Sequence, residues 1–209
     1  LYIYPVKSLK GIALKEAQTA QRGLEFDREW MLTDQDYNFI SQREIELMTT
    51  IETDIDSDSL ILTSNNQKTL KIPLDSSSSK KVRAVVWDDL CDAFDEGDEA
   101  SRWLTEVLGT FRGSELRLVR FDQKGERQVP KKYLHGVHAE SAFSDQFPYL
   151  IASWESLSRL NTGLSENDSF EVSMNRFRPN IVVKGLPNVE IMTSSNLVCE
   201  KSGYQFGLR

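Results

Sequence analysis

The sequence predicts a β-rich mixed α/β fold, and three observations carry that prediction. Short apolar runs, many of them β-branched or aromatic, recur between turn signals along most of the 209 residues. Helical spacing of apolar residues appears after Gly97 and again after Ser153. The stretch 175–185, NRFRPNIVVKG, carries the β-branched run Ile181, Val182 and Val183, of the kind that buries itself in a sheet. Composition agrees: 39% hydrophobic and 27% charged residues suit a globular chain of one large or two small domains.

Residues 1–8 alternate Tyr2, Tyr4, Val6 and Ser8 against Ile3, Pro5 and Lys7, a strand leading into a turn at Lys10-Gly11. Residues 13–20 are expected to partner it and to end at Gly23. Residues 29–33 and 39–41 read as a hairpin around Asp34-Gln35-Asp36. Residues 48–55 and 60–63 repeat the pattern, with a turn at Ser64-Asn65-Asn66. DSSSSK at 75–80 is polar without a periodic face and reads as a solvated loop. Strand character returns at 82–87. Asp98 is expected to cap the first helix, with Glu99 favourable to its dipole. Ala100, Trp103, Leu104, Val107 and Leu108 share one helical face, and Gly109 ends it.

Residues 116–121 form a strand where a second domain is expected to begin, which divides the chain into 1–115 and 116–209. GERQVPKKYLHGVHAE at 125–140 is expected to be a long exposed loop. Residues 148–152 form a strand, and Ser153 caps a helix that carries Leu157 and Leu160 and ends near Asn161-Thr162-Gly163. Two short strands follow at 196–200 and 204–208.

A net charge of -7 argues against general binding to nucleic acid or anionic membranes, while leaving room for a local basic pocket. No apolar run reaches the length, about 18 residues, that spans a membrane. There is no signal-peptide pattern, and the opening LYIYPVKS, without Met, is expected to lie inside a longer natural chain. Cys91 and Cys199 are too few and too distant for a disulfide framework. They are expected to be small core residues in a cytoplasmic, reducing compartment. The chain offers no convincing zinc set, and His135 and His138 in HGVH read as exposed residues without neighbouring carboxylates. DAFDEGDEAS at 92–101 resembles a calcium loop, but Trp103 stands where the bidentate Glu belongs, so helix capping is the better account. No nucleophile elbow, P-loop or dinucleotide fingerprint appears.

Within NRFRPN an extended backbone would project Arg176 and Arg178 from one face, beside the Asn180 amide at the mouth of a buried strand. Guanidinium forks suit phosphate or carboxylate, and pairing with surface carboxylates is the plainer alternative. YPVKS supplies Lys7 and Ser8, and RGLEFDREW supplies Arg28 beside Asp27. If these strand edges meet, Lys7, Arg28, Arg176 and Arg178 would line a basic pocket; otherwise each cation pairs separately.

Together these segments resemble the MOSC-domain family, named for the C-terminal domain of molybdenum cofactor sulfurase. The resemblance rests on YIYPVKSLKGI, RGLEFDREWMLTD, FISQRE, VWDD, DEGDEASRWLTEVLG, FSDQFPYLIASWESLSRLN and VSMNRFRPNIVVKG, in that order. It covers almost the whole chain and lies nearest in pattern to the YcbX-type proteins and amidoxime-reducing components. It implies an N-terminal β-barrel-like domain followed by a C-terminally incomplete MOSC β-barrel domain. It also implies a molybdopterin-type molybdenum cofactor, reduction of small N-hydroxylated substrates, and an electron-donor protein or domain of ferredoxin or flavoprotein type.

Carried over by motif, Lys7, Ser8, Arg28, Arg178 and Asn180 match cofactor-contacting positions. Ser153 matches the hydroxyl that opens the family's SEASL helix, although Trp154 replaces the usual Glu there. Leu9 stands where a cysteine is common. The metal-ligating cysteine, in a PCSRC-like segment, is expected beyond Arg209, so no metal ligand or catalytic group is assigned within this chain. These residues by themselves are expected to be weakly active or inactive. The alternatives to an enzyme are a cofactor or sulfur carrier and a simple anion-binding module. Nothing resembles a pyridoxal phosphate lysine site.

Overall fold

Trp30, Met31, Leu32 and Thr33 are all buried, which a strand achieves only when both of its faces are covered. The computed structural model describes residues 1–66, 68–75, 79–134, 136–185 and 196–208. Contacts divide it into two units, Leu1–Pro148 and Tyr149–Arg209.

In the first unit, β1 (Tyr2–Ile3) pairs antiparallel with β2 (Ile12–Ala13), and β3 (Thr19–Ala20) with β4 (Gly23–Leu24). Then come β5 (Trp30–Thr33) and a meander of β6 (Glu52–Ile55), β7 (Ser59–Thr63) and β8 (Thr69–Pro73). The hairpin of β9 (Lys80–Val86) and β10 (Asp89–Asp95), the helix α1 (Asp98–Leu108) and β11 (Arg117–Phe121) complete the unit's main elements. The central sheet is antiparallel, in the order β5-β11-β10-β9.

Alternation along these strands feeds two cores. Trp30, Leu32 and Leu118 face a core shared with Leu60, Leu62, Leu70 and Ile72 of the meander and Trp103, Leu104 and Leu108 of α1. Met31, Val119, Phe121, Ala84 and Ala93 face the other, closed by Ala142 and Phe143. Arg120, on the first face, is buried beneath the Trp30 ring, and its Nε lies 2.7 Å from Glu96. Gly23 is required by space as well as by its φ of +121°: a Cβ there would stand 2.6 Å from the Pro148 carbonyl oxygen.

The second unit contains β12 (Ile151–Ser153), α2 (Trp154–Glu166), β13 (Ile181–Val183), β14 (Asn196–Val198) and β15 (Gln205–Gly207). β12 and β13 run parallel, while β14 and β15 are antiparallel. Among the described residues no helix is long and apolar enough to cross a membrane.

The β-rich architecture with two α-helices stands, and several local expectations change. Among the described residues the sheets are open, and no closed barrel forms. β11 is an inner strand of the central sheet and lies within the compact unit Leu1–Pro148. The acidic run at 92–101 begins as β10: Cys91, Ala93 and Asp95 point inward at period 2. Gly97, not Asp98, precedes α1, and Asp98 pairs with Arg117 at 2.8 Å. Residues 48–50, expected to begin a strand, instead end a 3-10 turn at Glu46–Thr50, and α2 runs on to Glu166. The segment 125–140 is not simply an exposed loop, since Arg127, Val129 and Glu140 are buried in it. NRFR is not extended: Met174–Phe177 is a 3-10 turn closed by the Arg178 N–H donating to the Asn175 carbonyl, so Arg176 and Arg178 share no strand face.

Candidate functional site

YPVKS and FDREW are laced together by their backbones. The Lys7 N–H donates to the Trp30 carbonyl (2.8 Å), the Trp30 N–H to Pro5 (3.0 Å) and the Arg28 N–H to Tyr4 (2.8 Å). The buried Asp27 carboxylate fixes the arrangement by accepting the Tyr4 N–H at 2.8 Å and pairing with the Arg28 guanidinium. Arg28 also stacks over the Tyr4 ring, 4.5 Å from its centroid. The strand edges that carry Lys7 and Arg28 therefore lie side by side, a possibility the sequence left open.

Lys7 is only 7% exposed. Its ammonium lies 2.5 Å from Asp145, 4.9 Å from the Phe39 ring centroid and 5.7 Å from that of Trp87. Burial pulls its pKa down to about 8; Asp145 opposes that, while Arg127 and Arg28 add to it. Burial pushes the Asp145 carboxyl upward, but Lys7 and the Trp87 N–H outweigh it and hold the group below the ordinary aspartate value.

Arg127 supports this arrangement from beneath. Its guanidinium donates to the carbonyls of Ala142 (2.8 Å), Ser144 (2.6 Å) and Asp145 (3.1 Å) and pairs with Asp89 at 2.8 Å. It thereby fixes the loop that presents Asp145. The neighbouring Trp87, 48% exposed, holds a left-handed φ of 55° at the β9–β10 turn and packs edge-on against Phe39. Together with Val85, Arg43 and Glu44 these rings line a groove of about 450 Å³.

Arg127, Asp145, Phe39 and Trp87 were not singled out from the sequence, although FISQRE, VWDD and FSDQF contain three of them. Their proximity to Lys7 depends on tertiary contacts, which for Asp145 bridge 138 positions, and no local pattern reveals them.

In the second unit Asn180 is 1% exposed and bonds Leu150 twice. Its Oδ1 accepts the Leu150 N–H (3.1 Å), and its own N–H donates to the Leu150 carbonyl (2.8 Å). This clamp sets the β12–β13 register, Ile151 beside Ile181 and Ser153 beside Val183. Ser153 is the N-cap of α2: its Oγ accepts the Ser156 N–H at 3.1 Å. Ser153 and Asn180 stand at opposite ends of the strand pair, about 10 Å apart at some 3.3 Å per residue. Arg178, half-buried, adopts a left-handed backbone (φ 55°, ψ 47°) just before Pro179.

The remaining candidates fall elsewhere. Cys91 is a core thiol pushed up to about 11 by burial, but Cys199 is exposed and so is not the core residue expected. His135 lies outside the described residues. His138 does have carboxylate neighbours, Glu126 and Glu140, which the fold delivers from the facing arm of a hairpin and from two residues on.

Residues 1–111 match the MOSC N-terminal beta barrel domain, and residues 138–207 match the MOSC domain. This chain belongs to the MOSC-domain family. Among curated proteins, human mitochondrial amidoxime-reducing component 1 is 31% identical over 88% of this chain, and rat mitochondrial amidoxime reducing component 2 is 32% identical over 95%. The chain spans 55% and 59% of those two relatives. Molybdenum cofactor sulfurase of Drosophila grimshawi is 29% identical over 91% of this chain, which spans 24% of that protein. As a MOSC protein, the chain is thus similar both to amidoxime-reducing components and to a molybdenum cofactor sulfurase.

Proposed function

We propose that this chain binds a molybdenum cofactor of the molybdopterin type and belongs to an oxidoreductase that reduces small N-hydroxylated compounds. Electrons would come from a ferredoxin- or flavoprotein-type protein or domain. The observation that carries the reading is Lys7, a buried ammonium whose counter-charge, Asp145, stands largely in solvent. A phosphate could take that carboxylate's place and would compensate the buried cation more fully.

The donor set fits the cofactor in kind. In the first unit Lys7 and Arg28 offer cations of the kind a terminal phosphate takes, and Ser8 a hydroxyl; in the second, Arg178 offers a cation and Asn180 an amide. Ser8, Arg28 and Arg178 are also among the few non-glycine residues held at left-handed φ, at 73°, 52° and 55°. Such backbone strain, on the order of 1–3 kcal/mol per residue, concentrates where ligands are gripped. Ser153, occupied as a helix cap, fits a positioning role better than direct contact.

When bound, the cofactor supplies a two-electron redox centre, matching the two electrons and two protons consumed when an N-hydroxyl becomes N–H and water. In this reading Lys7 and Arg28 hold and orient it, while Phe39 and Trp87 keep water from the Lys7 ammonium. The same reading assigns 1–115 to an N-terminal barrel-type domain and 116–209 to the MOSC domain, although the compact unit continues to Pro148. Free thiols suit any reducing compartment, so a cytoplasmic setting and the mitochondrial one in the relatives' names fit them equally.

Similarity to a molybdenum cofactor sulfurase favours one second reading, a carrier that binds the cofactor without reducing a substrate. A longer chain carrying the expected PCSRC-like segment, expressed with cofactor available, separates the two. Bound molybdenum and pterin with amidoxime reduction supports the enzyme; the same occupancy without reduction supports the carrier. Absence of both metal and pterin sinks both. Arg178→Ala should lower occupancy in either case, and unchanged occupancy would remove Arg178 from the site.

A further inference from the structure

The arms of the 126–142 hairpin bring together ligand-type side chains that the cofactor reading does not use. We propose that Glu126, His138 and Glu140 form a binding site for a divalent first-row transition ion, with Zn²⁺ the best match to one imidazole and two carboxylates. His138 and Glu140 are two residues apart on one arm and so share a face. The backbone pairing of Gln128 with Glu140, flanked by Val129 N–H to Ala139 and Ser141 N–H to Arg127, puts Glu126 diagonally across on the other arm. One ligand atom from each of the three lies within 4.8 Å of the others. Tetrahedral Zn²⁺ with ligands at about 2.1 Å holds its ligand atoms roughly 3.4 Å apart. Small rotations of the exposed Glu126 and His138 side chains close that gap.

Glu140 is the fixed member of the set. It is 2% exposed and is gripped from behind by the Gln21 amide, 3.2 Å from each of its oxygens, and by Arg22 at 3.2 Å. Arg22 is itself anchored to the carbonyls of Gln123 and Gly125 and lies 5.1 Å from the Phe121 ring centroid. Metal-ligating carboxylates characteristically receive outer hydrogen bonds of this sort. Glu140 Oε1 faces the imidazole, 3.6 Å from His138 Nε2. Glu126 makes no hydrogen bond or ion pair among the described residues. With His138 neutral, two carboxylates against the single Arg22 cation leave one negative charge to receive a dication, and three protein ligands leave a fourth position for water.

The test is calorimetric titration of the purified chain with Zn²⁺ at neutral pH, with Ca²⁺ as a hard-ion control. One Zn²⁺ should bind per chain with little response to Ca²⁺. Glu126→Gln and His138→Ala should each weaken binding about tenfold or more, with an unchanged thermal unfolding transition because both side chains are exposed. No Zn²⁺ uptake up to about 1 mM, or uptake that neither substitution alters, would overturn the assignment.

Discussion

The two units hold their expected cofactor residues by different physics. In Leu1–Pro148, Lys7 and Arg28 are charged groups set into a packed, two-core body and balanced by Asp145 and Asp27. In Tyr149–Arg209, Ser153 and Asn180 commit polar atoms to the backbone, one capping a helix and the other clamping a strand. Burial differs in parallel: Leu157 and Met174 are the buried hydrophobic residues among those described in the second unit. A polar residue at a strand edge can thus be an electrostatic element where a deep core surrounds it, and a backbone device where the core is thin.

The largest test of this contrast is Arg127→Ala. The substitution strips donors from the carbonyls of Ala142, Ser144 and Asp145 and leaves Lys7 facing a loosened loop. A loss of about 3–5 kcal/mol in unfolding free energy is expected, read by urea denaturation. A loss under about 1 kcal/mol would mean that the first unit does not depend on its buried charges.

Next in size is a pH effect at Lys7, which titrates at about 8 in the fold against an ordinary value of 10.5. Between those values the unfolded chain retains a proton that the folded chain has released. Stability from this group therefore rises with pH across that window, and the full cost of burying the charge is felt below pH 8. The total is on the order of 3 kcal/mol. Unfolding free energies of wild type and Lys7→Met, compared from neutral to alkaline pH, should show wild type gaining on the variant. A constant difference would indicate that Lys7 is not held as a strained cation.

How much of this was legible follows the same division. α1, α2 with its Ser153 cap, and the strand at Trp30–Thr33 come from periodicity and capping chemistry, which are local. The meeting of Lys7 with Arg28 could be conjectured from charge at strand edges. Its closure by Asp145 and Arg127 could not, because the contacts link residues 7, 127 and 145 through the tertiary fold. β10 was hidden because its inward positions include Asp95, a charge buried against Arg117, so the acidic run read as helix capping. The NRFR turn was hidden because a left-handed Arg178 leaves no mark in a sequence without glycine there.

In the second unit the expected effects are smaller and local. Asn180→Ala removes the Oδ1 acceptor for the Leu150 N–H and should cost about 1–2 kcal/mol. Amide exchange at Leu150 and Ile181 should speed up while amides of the central sheet stay protected. Exchange that quickens equally in β5 and β11 would mean that this clamp is not a local device.

The smallest effect, and the one that best separates cap from ligand, belongs to Ser153. Ser153→Ala deletes the acceptor for the Ser156 N–H and should cost about 1 kcal/mol, read as faster exchange in the first turn of α2. Ser153→Asp restores an acceptor of comparable capping strength and adds a negative charge that suits a helix N-terminus. If the hydroxyl acts only as a cap, Ser153→Asp should recover both the exchange protection and the cofactor occupancy of the longer chain. Protection that returns while occupancy stays low would instead make Ser153 a contact for the bound group, because a carboxylate both replaces the hydroxyl donor and repels an anion.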